Sequence, residues 1–125
     1  MLTRLAMLRG GRLPEKVRQT LVDEVKSDLF RTDWGLATES PSSRDYRPDG
    51  YWLGPIWAPE TMIAVDGLKA CGEQELARDL ALRFCRMCKK SGFAENFDAK
   101  TGEPLRDRAY TWTASVFLIL AHELD

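Results

Sequence analysis

Two helical apolar patterns lie between residues 58 and 90 with almost no loop between them. In the first, apolar residues recur every three or four positions and Pro59 falls in the first turn: Ala58, Met62, Val65, Leu68 and Cys71. Gly72 ends this helix, and a second amphipathic stripe follows at once: Leu76, Ala77, Leu80, Ala81, Phe84, Met87 and Cys88. Because the connection is so short, the sequence predicts an antiparallel helical hairpin.

Two further helices are predicted, one on each side of this hairpin. From about residue 14 to 30, a charged face lies opposite one apolar stripe, which predicts an outer-layer helix: Val17, Leu21, Val22, Val25 and Leu29. From about 111 to 124, apolar residues surround the helix axis, so this helix is expected to be buried on most sides: Trp112, Ala114, Val116, Phe117, Leu118, Ile119 and Leu120. A short helix over 1–9, ended by Gly10 and Gly11, looks like the tail of something longer.

The predicted fold class is all-α, because no strand-like alternation competes with the helical patterns. Amphipathic helices outside and an apolar helix inside describe two concentric layers. The 125 residues suffice for a single core, so 1–125 is interpreted as one all-α segment.

Charge and hydropathy exclude several classes of partner. Eighteen basic residues against nineteen acidic ones give a net charge of −1, which is no electrostatic footprint for nucleic acid or an anionic membrane. The longest apolar stretch, 114–121, is far shorter than the about 20 residues that span a bilayer. With no recognisable secretion signal at the N-terminus, we expect a soluble, cytoplasmic protein that binds neither nucleic acid nor membrane.

The cysteines and the single histidine are interpreted as structural or surface residues. Cys71, Cys85 and Cys88 are odd in number and fall on helical stretches, which favours reduced thiols. The Cys85-x-x-Cys88 pair lacks a second pair of ligands, so core packing is predicted there and no metal or other cofactor is expected. His122 is expected on the surface near the C-terminal end of the last helix.

An aromatic stretch and a loop carboxylate suggest a sugar site. The two helices between them would bring Tyr51, Trp52 and Trp57 to the same end of the hairpin as Glu95. Aromatic faces stack on the apolar face of a pyranose ring, and a carboxylate on a loop can handle a water molecule. One carboxylate alone does not complete most glycosidase chemistry. In the irregular stretch 30–50, Trp34 and Tyr46 either shape this site or plug the loop onto the core.

Three ordered motifs resemble the C-terminal part of an (α/α)6-toroid glycoside hydrolase. The resemblance is strongest to glycoside hydrolase family 63 and its trehalase and glycogen-debranching relatives, and it covers roughly residues 30–122. Its motifs are Tyr51-Trp52-x-Gly54-Pro55-Ile56-Trp57, Phe93-x-Glu95-Asn96-Phe97-Asp98-x-x-Thr101-Gly102 and Trp112-Thr113-Ala114. A helical hairpin that contains Gly67-Leu68 lies between the first two.

This resemblance implies a catalytic role for Glu95. In those families the Glu of the Glu-Asn-(Tyr/Phe) motif is the general base of an inverting, exo-acting reaction, and Glu95 occupies its position. Inversion needs an ionised carboxylate that holds a water about 6.5–9.5 Å from a second, protonated carboxyl. The family's acid is an Asp far upstream. Asp33, Asp45 and Asp107 are the loop carboxylates that could substitute, and nothing in the sequence singles one out.

The resemblance also implies a substrate-binding set. Trp52 and Trp57 resemble the wall around the terminal sugar, and Trp112 resembles the tryptophan that starts the last inner helix; Trp57 and Trp112 serve equally well as core plugs. Tyr51 is added to this set, and Gly54 lets the chain pass close to a ligand. Where the family often has Arg and Asn, this chain has Leu53 and Thr61, so Glu60 is a neighbouring polar candidate.

Two functions from different classes remain open on these residues. The chain is predicted to supply the general base of a glycosidase as part of a longer enzyme, with a glycoside or oligosaccharide as substrate and a missing N-terminal portion completing the toroid. Alternatively, it is a non-catalytic carbohydrate-binding or assembly module that completes the ring by self-association. A sugar epimerase on the same toroid is less favoured, because those enzymes usually rely on histidine bases and His122 is poorly placed.

Overall fold

The computed structural model describes residues 6–125, and helices dominate it. The all-α prediction is confirmed by four helices: α1 (Glu15–Lys26), α2 (Ala58–Ala70), α3 (Gln74–Ser91) and α4 (Thr111–Leu124). Two small antiparallel pairs join them, β1 (Arg31–Thr32) with β2 (Gly35–Leu36) and β3 (Asn96–Phe97) with β4 (Pro104–Leu105). Of the helix predicted over 1–9, the first five residues lie outside the described part, and Ala6–Arg12 forms a 3₁₀ segment.

The predicted hairpin of α2 and α3 forms the centre of the fold. Gly72 has a φ of +83°, the left-handed conformation that reverses the chain after a helix. Helix α2 packs against α3, α4 and the 3₁₀ segment, so it is the helix that these three elements share. The largest fully buried side chains of the hairpin are Leu68, Leu80, Phe84 and Met87.

A close approach between the 3₁₀ segment and α2 explains the glycine of the Gly67-Leu68 motif. Met7 is fully buried against α2, and a Cβ at Gly67 would lie 2.7 Å from the Met7 Cβ. Neither atom is the end of a flexible side chain, so a larger residue at 67 would push the segment away from the helix.

Helix α1 is shorter than predicted. It ends at Lys26, because Ser27 takes an extended conformation and its hydroxyl donates to the Glu24 carbonyl and accepts from the Leu29 N–H. Leu29 therefore lies outside the helix and is exposed, as is Val17. The middle of the predicted stripe is confirmed, since Leu21, Val22 and Val25 are buried.

The expectation that the last helix is buried on most sides is wrong for the chain as described. Helix α4 buries only one face, through Thr113, Val116 and Leu120. On the other side, Leu118 is 66% exposed and Ile119 is 46% exposed. Helix α4 contacts α2 and α3 through its buried face, and no other helix among residues 6–125 covers the opposite face.

The two aromatic residues of the long loop pack onto the core. Tyr46 is buried and its ring lies against Gly54, where an added Cβ would be 2.9 Å from the ring. The Trp34 ring lies against Gly102 in the same way, at 2.7 Å from an added Cβ, and the Lys90 ammonium sits 5.1 Å above it. Both rings therefore pack one loop against another part of the chain, which is the core-packing role considered for them above.

The cysteines and the histidine lie where the sequence predicts. All three cysteines are buried, which confirms the core-packing interpretation, and His122 is exposed in the last turn of α4. Burial raises the pKa of the Cys71 and Cys85 thiols, and burial together with the neighbouring Cys85 raises the pKa of Cys88 to about 12. Within residues 6–125, the longest apolar helix falls short of what crossing a membrane requires.

We expect Gly67→Ala to lower the free energy of unfolding by about 1–3 kcal/mol, because the new methyl group collides with Met7. Gly11→Ala is the matched control: nothing lies within 4 Å of a Cβ there, so stability should hardly change. Urea unfolding followed by circular dichroism measures both. Equal stability of the two variants would contradict the packing of the 3₁₀ segment on α2.

The thiols predict slow chemical labelling of the folded chain. A thiol with a pKa of about 12 in place of 9.0 carries about a thousandfold less thiolate at pH 8. We therefore expect Ellman's reagent to leave Cys88 unmodified in native buffer and to titrate all three thiols in guanidinium chloride. Rapid modification of Cys88 in the folded protein, located by peptide mass spectrometry, would contradict its burial.

Candidate functional site

Five aromatic residues form one cluster where the loop before α2 meets the start of α4. Trp52 and Trp57 are stacked, with ring centroids 4.1 Å apart and planes 11° from parallel. Tyr51 meets both edge-on, at 5.9 and 4.8 Å. Trp112 joins Trp57 at 6.5 Å, and Tyr110 stacks on Trp112 at 6.4 Å. We call these five residues the aromatic cluster.

The members of the cluster differ in how much surface they offer to a ligand. Trp57 is only 1% exposed and its indole N–H donates to the Tyr51 carbonyl at 2.9 Å, so it forms the floor of the cluster. This burial agrees with its interpretation as a core plug. Trp112 is 45% exposed, Tyr51 is exposed and Trp52 is partly so, which leaves ring faces open to solvent. A sugar contact by any of the four stays a prediction.

The turn at Gly54 and Pro55 is held by a residue that sequence analysis missed. The Thr38 hydroxyl accepts the Gly54 N–H at 3.0 Å and donates to the Pro55 carbonyl at 2.8 Å. Gly54 has a φ of +154° and lies against the Tyr46 ring, so no larger residue fits. Thr38 lies in the irregular stretch before the motif, where no spacing pattern marks it.

Two backbone hydrogen bonds join the aromatic loop to the strand after Glu95. The Ile56 N–H donates to the Phe97 carbonyl at 2.8 Å, and the Phe97 N–H donates to the Ile56 carbonyl at 3.1 Å. Both side chains are fully buried. Because Trp57 follows Ile56 directly, this pair fixes the floor of the aromatic cluster relative to Glu95.

The other side of Glu95 is tied to the start of α4. The fully buried Thr113 hydroxyl donates to the Ala94 carbonyl at 2.6 Å, and the Glu95 N–H donates to the Asp107 carbonyl at 2.8 Å. Thr113 follows Trp112 in the chain. The segment that carries Glu95 is thus held at one end beside Trp57 and at the other beside Trp112.

The two carboxylates of the motif, those of Glu95 and Asp98, differ in their contacts. The Glu95 carboxylate is half-buried, and no residue within 6–125 forms a hydrogen bond or ion pair with it. By contrast, Asp98 accepts the Lys100 and Thr101 N–H groups at 2.7 and 3.0 Å and shapes the turn between β3 and β4. Gly102 supports the same turn with a φ of +71°.

The other carboxylates considered for the site have partners of their own or are buried. Asp33 pairs with Arg83 at 3.9 Å, Asp45 lies beside Arg44 at 4.0 Å, and the Asp107 side chain accepts the Ala109 N–H at 2.9 Å. Of these three, Asp107 forms a backbone hydrogen bond with Glu95, but its carboxylate is occupied by the Ala109 N–H within its own loop. Glu60 is 1% exposed in the first turn of α2, so its predicted contact with a sugar stays without support.

Comparison with known proteins decides the family. Residues 3–113 match the mannosylglycerate hydrolase MGH1-like glycoside hydrolase domain. The chain belongs to this family.

Two curated relatives show how much of a family member the chain represents. The glucosylglycerate hydrolase of Mycolicibacterium hassiacum is 37% identical over 118 residues, which make up 90% of this chain and 26% of the relative. The mannosylglycerate hydrolase of Thermus thermophilus is 28% identical over 83 residues, covering 66% of this chain and 20% of that protein. The chain spans about a quarter or less of the length of these family members.

Solved structures show that the family fold is shared. The family 63 mannosylglycerate hydrolase of Thermus thermophilus, in complex with glucose, superposes with a TM-score of 0.83 at 23% identity, covering 93% of this chain and 28% of that one. Neutral trehalase from Saccharomyces cerevisiae gives 0.75 at 22% identity, covering 96% and 22%. The predicted resemblance to the helical toroid of glycoside hydrolase family 63 and trehalase is thereby confirmed at the level of the fold.

Removing the Thr113 hydroxyl should loosen the segment that carries Glu95. We expect Thr113→Val to lower the free energy of unfolding by about 1–3 kcal/mol, because the buried Ala94 carbonyl loses its partner. Ser115→Ala is the control, since that exposed hydroxyl bonds only within its own helix. Thermal unfolding compares the two, and a Thr113→Val midpoint as high as that of Ser115→Ala would contradict the anchoring role of Thr113.

Proposed function

We propose that this chain supplies the general base and part of the sugar-binding wall of an inverting, exo-acting glycoside hydrolase. One observation carries the proposal. Glu95 has a half-buried carboxylate without an internal partner among residues 6–125, and its backbone is fixed between the neighbours of Trp57 and Trp112. In the proposed site this carboxylate would lie beside the aromatic rings, where a base can direct a water at a stacked sugar.

The chemistry assigned to Glu95 is proton abstraction from water. As the water oxygen attacks the anomeric carbon, its proton passes to the Glu95 carboxylate and the bond to the leaving-group oxygen breaks on the opposite face of the ring. An acid about 6.5–9.5 Å away protonates that oxygen. None of Asp33, Asp45 and Asp107 is favoured for this role by its contacts, so we assign the acid to a part of the enzyme beyond this chain.

The proposed substrate class is a sugar linked to glycerate. The curated relatives are named as glucosylglycerate and mannosylglycerate hydrolases, and the chain belongs to their family. The exposed rings of Tyr51 and Trp112 and the partly exposed ring of Trp52 would stack on the sugar, with the turn at Gly54 passing close to it. Glu60, buried in the first turn of α2, stays the neighbouring polar candidate for contact with the sugar.

We further propose that the chain works as the C-terminal part of a larger toroid. The exposed apolar side of α4, with Leu118 and Ile119, supports this arrangement, because such a face is suited to packing against another helix. The remaining helices would come from an N-terminal portion of the same enzyme. The odd number of buried cysteines supports a cytoplasmic location.

The same apolar side of α4 favours a second candidate function. In this alternative, the chain is a non-catalytic carbohydrate-binding or assembly module, and copies of it complete the ring by self-association. Light scattering on the purified chain separates the two. If the chain is such a module, we expect a stable higher oligomer that binds sugar without turnover. If it is part of a longer enzyme, we expect no closed homo-oligomer.

A chimera tests the base assignment. This chain would replace the matched region of the Mycolicibacterium hassiacum hydrolase, and glucosylglycerate hydrolysis would be followed by release of glucose. We expect the chimera to turn over and the Glu95→Gln chimera to lose about 10²–10⁴-fold in kcat, because the base is removed while the shape is kept.

Glu103→Gln is the matched control for this chimera. Glu103 is an exposed carboxylate on the turn between β3 and β4, and its ion pair with Lys90 lies outside the aromatic cluster. Its removal should leave the rate unchanged. If the active chimera keeps its full rate after Glu95→Gln, Glu95 is not the base.

A further inference from the structure

One residue of the aromatic cluster and one residue in contact with it hold an unfavourable backbone conformation. Tyr51 has a φ of 61° and Arg106 has a φ of 63°, and they are the non-glycine residues with a positive φ within residues 6–125. A side-chain-bearing residue adopts this left-handed conformation at a cost in free energy. Such positions persist when tertiary contacts outweigh that cost, and they concentrate at functional sites.

The contacts of Arg106 supply that compensation. Its Nη2 donates to the Asp49 carboxylate at 2.8 Å and to the Asp49 carbonyl at 3.2 Å. Its guanidinium carbon lies 5.1 Å from the centroid of the Tyr51 ring, within the range of a cation–π contact. The Arg106 side chain thus makes three contacts with residues 49–51. We call this set of contacts the Arg106 latch.

Tyr51 belongs to both the latch and the aromatic cluster, and its contacts link Arg106 to Trp57. The Tyr51 carbonyl accepts the Trp57 indole N–H at 2.9 Å, and the Tyr51 ring packs edge-on against Trp57 at 4.8 Å. Trp57 in turn carries the stacked Trp52 ring. A displacement of Tyr51 would therefore alter the position of the partly exposed Trp52 ring.

We infer that Arg106 is a positioning residue of the proposed sugar site, which fixes Tyr51 and thereby the Trp52–Trp57 stack. Its effect on ligand binding rests on the proposed function, whereas its effect on the ring geometry does not. An ordinary exposed ion pair would hold Asp49 alone. The planar guanidinium bonds Asp49 and covers Tyr51 together, which a lysine ammonium does not reproduce.

Near-ultraviolet circular dichroism of the purified chain tests the latch directly, because we expect the closely stacked Trp52 and Trp57 rings to contribute strongly to that signal. We expect Arg106→Gln and Asp49→Asn each to reduce the tryptophan band. The double variant should lose less than the sum of the two single losses, since both changes break one interaction. Arg106→Lys should keep the fold and recover only part of the band.

Arg108→Gln is the matched control, because Arg108 is an exposed arginine two positions along the same loop. It should leave the band unchanged. A wild-type band in folded Arg106→Gln, or losses that add fully in the double variant, would overturn the latch. If Arg106→Gln does not fold, a wild-type band in Arg106→Lys would overturn it instead.

A titration with glucosylglycerate, followed by tryptophan fluorescence, measures the consequence for binding. We expect Arg106→Gln to raise the dissociation constant about three- to tenfold, with Arg108→Gln unchanged. An unaltered dissociation constant in Arg106→Gln would overturn the link between the latch and the site. If the wild-type chain gives no response, the same comparison is made on the KM for glucosylglycerate in the chimera, where equal KM values for Arg106→Gln and Arg108→Gln would overturn the link. An inactive chimera together with the expected change in dichroism would count against the proposed function and would support the latch.

Discussion

The pairing of Ile56 with Phe97 is the interaction on which the rest of the candidate site depends. Its two backbone hydrogen bonds, at 2.8 and 3.1 Å, join parts of the chain that are separated by the whole α2–α3 hairpin. Without this pairing, the aromatic loop and the Glu95 segment would be independent surface loops. With both side chains fully buried, the hydrogen bonds lie in a dry environment and their loss would leave buried polar groups unpaired.

The hairpin makes that pairing possible. Helix α2 begins beside the aromatic cluster and α3 runs back antiparallel to it, so the chain leaves α3 at Gly92 near the end from which α2 started. Helix α4 then begins next to the same place, and Thr113 closes the arrangement by bonding to Ala94. Three helix ends and two loops thus meet at the backbone segment that carries Glu95. Functional residues commonly lie on loops that a rigid scaffold holds in this way.

Sequence patterns predicted the helices well because their period is repeated over many residues. The hairpin, the first turn of α2 at Pro59, the start of the last helix at Thr111 and the buried cysteines all follow from spacing. The end of α1 was missed because one hydroxyl, that of Ser27, decides it. The exposure of α4 was missed because an apolar composition shows only that a helix is suited to burial. It does not show whether residues 6–125 provide the neighbouring helices that would bury it.

The site was predictable only in part, for a different reason. The resemblance to known motifs pointed to Glu95 and the tryptophans, because these residues are themselves part of those motifs. Thr38 and Arg106 owe their roles to partners far along the chain, and strands of two residues have no period to detect. Such residues become visible only when the coordinates show what each side chain touches.

The most direct measurement is an NMR titration of the ¹⁵N-labelled chain with glucosylglycerate. If Glu95 faces a sugar site walled by the aromatic cluster, the Glu95 amide and the Trp52 and Trp112 indole signals shift together, while the Trp34 indole, packed against Gly102, does not. Shifts confined to Trp34 or to the distant cleft between Arg31 and Arg83 would contradict that placement of the site.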